Sequence, residues 1–274
     1  MAKPPSRQTL MRAAKRVARQ AHDPLIYCRT APKKQLTDAT KSKRMAFCRV
    51  NSTRDWRGVM LTDRCRFYFR YPGSKVSRGR WARQSEKGSE RVYTPNHPQC
   101  YNVYGGITIH GTTKLVAVAG TDGQHTSYHN QKGERAKNIT AEEYEAVVGK
   151  HLLPAGEGLF SSHGVRHWVL QQDRDPAHTV AHHAVDKFNA LGFSSVEVLP
   201  DWPGNSPDLN PIENVWGDVL NSVQTKGCAN FSQFKRAVDR EFQYYPERKL
   251  RNIFKKMQKR MQECLARNGD KTDH

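Results

Sequence analysis

The sequence predicts an α/β fold in which a mixed sheet is flanked by helices. Short apolar stretches typical of strands occupy much of residues 57–119, and strand and helix patterns alternate between residues 141 and 224. The last quarter of the chain has helical periodicity throughout. A hairpin-rich start that changes to strand–helix alternation is typical of a mixed sheet covered by helices.

The first third of the chain is predicted to contain two helices, two strands and a loop. Ser6 and Thr37 are suitable N-caps for helices that extend to Gln20 and Val50. Residues 57–63 and 64–71 are predicted as two strands that pair as a hairpin. Residues 72–99 are rich in Gly, Ser, Arg and Pro, which predicts a long basic loop.

The remaining elements alternate and then become purely helical. Strands are predicted at 103–110, 114–119, 167–173 and 196–199, and helices at 141–151, 176–191, 211–224, 231–244 and 248–266. A glycine-rich connection follows residue 151. This order fits the ribonuclease-H-like arrangement. It divides the chain into a basic helical segment (1–54), a ribonuclease-H-like domain (55–225) and C-terminal helices (226–274).

The charge of the chain points to a polyanionic partner. The net charge is +19, with a pI near 9.9, and residues 1–54 alone carry 14 Lys and Arg against two acids. A solubility effect would be spread more evenly, so nucleic acid is the leading partner and an anionic membrane surface the second. No run approaches the ~18 apolar residues of a membrane span, and the N-terminus lacks the apolar core of a secretory signal.

The six cysteines do not predict a metal site. They are scattered, without a C-x-x-C pair, so we expect reduced thiols in a cytosolic or nuclear protein rather than structural zinc.

Three carboxylates are candidates for metal-dependent chemistry on phosphates. Asp63 and Asp173 are each predicted to end an apolar strand, and Glu213 follows Pro211 at the start of a helix. If these ends converge, the like charges raise one another's pKa unless cations neutralise them. Carboxylate oxygens favour Mg²⁺ or Mn²⁺, and two such ions can activate a nucleophile and stabilise the leaving oxygen of a phosphodiester.

Each carboxylate also has a purely structural interpretation. Glu213 with Asn210 forms the pattern of a capping box, in which the glutamate only closes the helix start. Asp63 is equally suited to a hairpin turn, and Asp173 to an exposed strand end. From the residues alone these alternatives stay open.

Two segments favour the catalytic interpretation because they resemble the signature blocks of mariner-type DDE transposases. Gln172–His178 (QDRDPAH) resembles the family's Q-D-N-A-P-x-H, and Trp202–Trp216 (WPGNSPDLNPIENVW) resembles W-P-A-x-S-P-D-L-N-P-I-E-N-x-W. The segment Leu61–Phe67 (LTDRCRF) is similar to the first-aspartate block, T-D-E-x-x-F. The resemblance covers roughly residues 35–225.

The resemblance implies a function and a metal-binding triad. Asp63, Asp173 and Glu213 would hold two Mg²⁺ or Mn²⁺ ions in a ribonuclease-H-like core, with Arg174, His178 and Asn210 around them. The implied reaction is cut-and-paste transposition, in which element ends are cleaved and the freed 3′-hydroxyl attacks double-stranded target DNA at TA. The implied setting is a homodimer in the nucleus of a eukaryote, or otherwise an intracellular location with DNA.

The chain departs from the family in two respects. Arg64 and Arg174 stand where the family has Glu and Asn, and a guanidinium beside an aspartate can lower its metal affinity. The family carries two helix-turn-helix units before the core, whereas here only a basic helical fragment precedes it. A DNA-binding relic without catalysis and a metal-dependent nuclease are therefore the alternative functions.

Basic side chains in two segments are candidate DNA contacts. The predicted N-terminal helix and the loop at 72–99 carry them, and the alternatives are a solvated helix docked on the core and a disordered loop. The candidates are Arg7, Arg12, Lys15, Arg16, Arg19, Lys75, Arg78, Arg80 and Arg83.

Overall fold

A computed structural model describes residues 25–28, 35–69, 80–83, 99–118, 139–173 and 175–273. They belong to two units. In the smaller unit, strands β1 (Leu25–Cys28) and β3 (Arg80–Arg83) pair antiparallel, with Leu25 opposite Arg83. Part of the predicted loop 72–99 is thus a strand. The predicted N-terminal helix to Gln20 lies outside the described residues.

The larger unit is built on a mixed sheet, as predicted. Its strands are β2 (Val59–Tyr68), β4 (Cys100–Thr108), β5 (Gly111–Thr112), β6 (Val116–Ala117), β7 (His167–Gln171) and β8 (Ser195–Val198). The order is β5-β4-β2-β7-β8, with β6 also on β4. The strands β2, β7 and β8 are parallel to one another, whereas β4 runs antiparallel to β2.

Helices cover both faces of this sheet. They are α1 (Asp38–Asn51), α2 (Ala141–Val147), α3 (Leu153–Ser161), α4 (Ala181–Asn189), α5 (Ile212–Lys226), α6 (Phe231–Gln243), α7 (Glu247–Lys255) and α8 (Met257–Ala266). The chain enters β2 through a 3₁₀ turn at Trp56–Gly58. One buried cluster joins α1 and α5–α8 to the sheet, and a second joins α2–α4. No helix among the described residues is long and apolar enough to cross a bilayer.

The predicted hairpin at 57–71 is wrong, because β2 is one continuous strand. It pairs with β4 without interruption from Leu61 opposite Ile107 to Tyr68 opposite Cys100. The segment around Asp63 contains no Gly or Pro that could form a tight turn. The pattern of polar and apolar residues changes along β2 because burial changes. The first four residues are buried, the next three are half-buried, and the last three alternate between exposed and buried. Asp63 is therefore in mid-strand, not at a strand end.

The predicted glycine-rich connection after residue 151 is also wrong. A π turn at Val148–Leu152 leads directly into α3. Pro154 is tolerated because it lies in the first turn of α3. Gly156 is required by close packing, since a Cβ there would lie 2.6 Å from the Trp168 ring.

Smaller differences concern element ends. The strand before Asp173 ends at Gln171, and a 3₁₀ turn at Pro176–Val180 precedes α4. The predicted helix 248–266 is two helices, α7 and α8, which meet at Lys256. The other helices predicted within the described ranges are confirmed as α1, α2, α4, α5 and α6. The Thr37 hydroxyl caps α1 by accepting the Thr40 N–H at 3.2 Å.

Candidate active site

Asp63 is presented from the middle of the central strand, which is fixed just before it. The Thr62 N–H donates to Gln171 Oε1 at 3.1 Å, and the Thr62 hydroxyl donates to the Gln171 carbonyl at 2.6 Å. From the other side, Asn210 Nδ2 donates to the Thr62 carbonyl at 3.2 Å. The Asp63 carboxylate accepts the Arg64 backbone N–H at 2.7 Å. These bonds leave little freedom to the backbone that carries Asp63.

A glycine on the neighbouring strand brings the helix α5 close to Asp63. Gly105 lies directly opposite Asp63 in the β2–β4 pair. A Cβ at Gly105 would lie 2.8 Å from the ring of Trp216, a residue of α5. Trp216 also packs edge-on against Phe67 at 5.7 Å and stacks on Phe242 at 4.8 Å. The missing side chain therefore lets α5 lie close against this part of the sheet.

Glu213 in the first turn of α5 is turned towards Asp63. The two carboxyl groups lie close enough for each to influence the pKa of the other. The Asn210 N–H donates to the Pro207 carbonyl at 3.1 Å and not to the Glu213 side chain, so Glu213 does not form the capping box. Glu213 as a residue is exposed, but its carboxyl group lies against the pocket wall. Burial raises the pKa of Asp63, the charge of Glu213 raises it further, and burial also raises the pKa of Glu213.

Asp173 follows β7 and is held by the His178 cluster, which comprises Tyr104, Tyr144, Gln172 and His178. His178 Nδ1 contacts the Asp173 carboxylate, and its Nε2 lies 3.0 Å from the Tyr104 hydroxyl. The Tyr144 ring stacks on the imidazole at 3.7 Å, and its hydroxyl donates to Gln172 Oε1 at 2.9 Å.

The His178 cluster keeps Asp173 ionised. Burial of the Asp173 carboxyl opposes ionisation, but the hydrogen bond and charge of His178 outweigh burial and lower its pKa. The Asp173 side chain nevertheless remains 49% exposed. It is therefore accessible from the pocket as a carboxylate.

Asn210 connects two of the carboxylate-bearing elements. Its Nδ2 group holds the strand at Thr62, while its Oδ1 accepts the Ile212 N–H at 3.4 Å and its carbonyl accepts the Glu213 N–H at 3.2 Å. One side chain thus sets the position of the α5 start relative to β2.

All three predicted carboxylates line one pocket of about 410 Å³. Asp175 is a fourth carboxylate in its lining, and residues 202–207 form the opposite wall with Asn210. Across the ranges that the structure describes, no three His, Cys, Asp or Glu side chains are already arranged to hold a metal ion.

A buried network behind the pocket was not predicted from the sequence. The Asp208 network comprises Arg44 of α1, Asp208, Arg260 of α8 and Thr272. Arg44 donates to both Asp208 carboxylate oxygens at 2.9 and 2.6 Å, and Thr272 N–H donates to Oδ2 at 2.8 Å. Arg260 donates to the Asp208 carbonyl at 2.8 Å and to the Asn214 side chain. Asp208 and Asn214 flank Glu213 in sequence, so this network fixes the segment that delivers it.

A sequence signal for Arg44 existed but was ambiguous. Arg44 stands in the basic run 41–44, which suggests a surface, yet it lies three and four residues before the buried Phe47 and Cys48. Residues at that spacing share a helix face. Its partners, 164 to 226 residues away, are not indicated by any local pattern.

The arginine beside Asp63 does not form an ion pair with it. Adjacent residues of a strand point to opposite faces, and only the Arg64 backbone contacts the Asp63 carboxylate. Arg174 lies outside the described residues.

Most of the candidate DNA-binding side chains cannot be placed. Only the backbone of β3 is described for Arg80 and Arg83. The others lie outside the described residues: Arg7, Arg12, Lys15, Arg16, Arg19, Lys75 and Arg78.

Comparison with known proteins finds similarity to transposases. The Tcb2 transposase of Caenorhabditis briggsae is 34% identical over 131 residues, which is 48% of this chain and 45% of that protein. The chain spans less than half the length of the curated relatives it matches. No protein-family model matches it.

Solved structures that resemble it include those of the Mos1 mariner transposase. Its catalytic domain has a TM-score of 0.61 and 15% identity, and the match covers 89% of this chain and 100% of that domain. A Mos1 paired-end complex with Mn has a TM-score of 0.63 and 16% identity, and covers 100% of this chain and 82% of that one. At such identities the likeness concerns the fold.

Proposed function

We propose that this chain, which is similar to Tc1/mariner transposases in sequence and to the Mos1 catalytic domain in fold, is a DNA transposase of the mariner-like DDE superfamily. Its reaction is metal-dependent cleavage of DNA at element ends followed by transfer of the 3′ end. The observation that carries the proposal is the single pocket lined by Asp63, Asp173 and Glu213. These carboxylates come from three separate segments, and each lies in a block that resembles the family signature.

The donor set fits a hard divalent cation. Asp63, Asp173 and Glu213 offer only carboxylate oxygens, which suit Mg²⁺ or Mn²⁺. Burial raises the pKa of Asp63 and of Glu213, and the charge of Glu213 raises that of Asp63 further, so a cation between the two carboxyls would be favoured. Two ions held here would act as a Lewis acid towards a phosphodiester. They would also generate a nucleophile at neutral pH.

The residues of the chain have separate tasks in this proposal. Asp173 remains ionised because of His178, so it is ready to bind a cation. Asp63 and Glu213 would complete the cation site, and Asn210 holds the backbones that carry them in position relative to each other. His178 and Asn210 are thus positioning residues.

The proposed partner is double-stranded DNA, comprising transposon ends and a TA target. The net charge of +19 supports it, because lysine and arginine bind phosphates without regard to sequence. The Mos1 structures are described as complexes with transposon ends. Joining two ends is best served by a homodimer, and a eukaryotic host would place the reaction in the nucleus.

The test is nicking of supercoiled plasmid in Mg²⁺ or Mn²⁺. We expect nicking by the wild type and a loss of at least ~100-fold in Asp173→Asn, since outer partners of metal ligands alone are worth 10–100-fold. Asp186→Asn, an exposed carboxylate on α4, is the matched control and should nick normally. Equal nicking by both variants would contradict the proposal.

Two alternative outcomes have definite meanings. The engagement of Asp63 and Asp173 with protein partners favours a DNA-binding relic as the second candidate. Salt-sensitive DNA binding without nicking by the wild type would identify that relic. Nicking without joining of a 3′ end to TA-containing DNA would identify a nuclease.

A further inference from the structure

The solvent-facing side of β2 carries a row of basic and aromatic side chains beside the pocket. Arg64, Arg66 and Tyr68 alternate with Cys65 and Phe67, so they share the face opposite to Asp63. Arg64 is half-buried, Arg66 is exposed, and Tyr68 is 41% exposed. The row is therefore accessible from solvent over its length.

Arg64 lies next to the residues that hold Asp173. Its cross-strand neighbour is Tyr104, whose hydroxyl contacts His178, which in turn contacts Asp173. Directly opposite residues of an antiparallel pair have Cβ atoms about 5 Å apart on one face. The Arg64 charge interacts electrostatically with both Asp173 and the Tyr104 hydroxyl. The row thus begins beside the residues that hold Asp173, on the face of β2 opposite to Asp63, and leads away from them.

The Arg64 guanidinium has no ion pair or hydrogen-bond acceptor among the described residues. Asp173, a carboxylate that the Arg64 charge influences, is in contact with His178. A half-buried guanidinium normally has a partner because five N–H donors are costly to leave unpaired. A planar fork of donors beside a site for phosphate chemistry matches the oxygens of a phosphodiester.

We propose that Arg64, Arg66 and Tyr68 form a binding track for the phosphates of the DNA strand that enters the pocket. Residues two apart on a strand are about 6.8 Å apart. The phosphates of one DNA strand repeat every ~3.4 Å along the axis of the duplex, so the two guanidinium groups can reach different phosphates. The Tyr68 hydroxyl supplies a further donor. This inference rests on the proposed function, since it assigns the substrate strand of the same pocket.

The test measures the salt dependence of DNA binding in EDTA, which removes catalysis from the measurement. The full chain is titrated into a short fluorescent duplex at several NaCl concentrations. Arg64→Gln and Arg66→Gln should each reduce the slope of log K against log salt by about one, and the double variant by about two. Arg248→Gln, which removes the same charge from the exposed surface of α7, is the control and should keep the wild-type slope.

A double-mutant cycle locates the bound phosphate. Asp173→Asn removes a negative charge beside the proposed phosphate, so it should tighten DNA binding more in the wild type than in Arg64→Gln. Effects that simply add, or a slope unchanged in the double variant, would overturn the track. An equal loss of slope in Arg248→Gln would overturn it as well. If Arg64→Gln does not fold, the exposed Arg66→Gln gives the same test.

Plasmid nicking in Mn²⁺ separates this inference from the proposed function. If the wild type does not nick DNA but the slopes fall as expected, the track stands and the catalytic proposal fails. If the wild type nicks and the slopes do not change, the catalytic proposal stands and the track is wrong.

Discussion

Asp173 and Glu213 line the same pocket, but the structure holds them in opposite ways. Asp173 is held locally, by His178 five residues later and by rings packed around that imidazole. Glu213 is delivered by a segment anchored through Asp208 to Arg44 and Thr272, which are 164 and 64 residues distant. The direct partner of Asp173 thus comes from its own short segment, with Tyr104 and Tyr144 packed around it. The segment that carries Glu213 is instead anchored by residues near both ends of the larger unit.

Removal of Arg44, the long-range anchor of Asp208, should have the largest effect. Arg44 is fully buried and Asp208 is 7% exposed, so Arg44→Ala leaves an uncompensated buried charge. We expect the free energy of unfolding to fall by about 3–5 kcal/mol. Urea unfolding followed by circular dichroism measures it.

Lys41→Ala provides the matched control for Arg44→Ala. Lys41 lies on the same helix as Arg44. Its ion pair with Asp270, at 3.2 Å, is partly exposed. Such surface pairs contribute about 0.2–1 kcal/mol. Similar losses in the two variants would show that the Asp208 network does not act as a buried anchor.

The packing of α5 against β4 gives a second test of the Glu213 side. In Gly105→Ala the new Cβ would meet Leu115 and Trp216 at 2.8 Å, and overpacking of this kind costs about 1–3 kcal/mol. Gly217→Ala, the next residue after Trp216, has no atom within 4 Å of its new Cβ. It should instead stabilise α5 by up to about 1 kcal/mol. Thermal unfolding of both variants checks the opposite signs, and a neutral Gly105→Ala would contradict the close approach.

The stability that the Asp208 network provides should depend on pH, because Asp208 carries the negative charge of that network. Burial alone would raise the pKa of Asp208, but hydrogen bonds from Arg44 and Thr272 outweigh burial and lower it. A carboxyl with a lowered folded-state pKa stabilises the fold above its unfolded pKa near 3.9 and loses that contribution as pH falls through the folded value. Each unit by which folding lowers the pKa of Asp208 adds about 1.4 kcal/mol to the free energy of unfolding.

The measurement compares the wild type with Asp208→Asn, so that other carboxyls cancel. Their difference in unfolding free energy should be constant above about pH 5 and shrink in more acidic solution. A difference that does not change with pH would mean that Asp208 is not ionised in the folded state.

The same contrast explains what the sequence could predict. Asp173 and His178 lie in one short block, and Asn210 and Glu213 in another, so the candidates were visible as local patterns. The mixed sheet and its flanking helices also follow from local periodicity. Arg44, Arg260 and Thr272 could not be assigned, because their roles arise only when distant segments close around Asp208.

The errors at Asp63 and at residues 153–161 have a related cause. The polarity changes along β2 because the elements packed on the two faces of the sheet cover some of its side chains and not others. The chain makes no turn there. Gly156 reads as a loop residue, yet it is a helix residue that accommodates Trp168. In both places tertiary packing overrides the local signal.

Removal of the Tyr144 hydroxyl, one of the contacts around Asp173, should have the smallest effect. Tyr144→Phe keeps the ring that stacks on His178 and removes only the hydroxyl that donates to Gln172 Oε1 at 2.9 Å. The buried amide oxygen then lacks that donor, so unfolding should become easier by about 1 kcal/mol. Tyr244→Phe, whose side chain is 73% exposed, should change nothing in the same thermal scan. A loss in Tyr144→Phe as large as that in Arg44→Ala would show that the Asp173 side, too, depends on the whole unit.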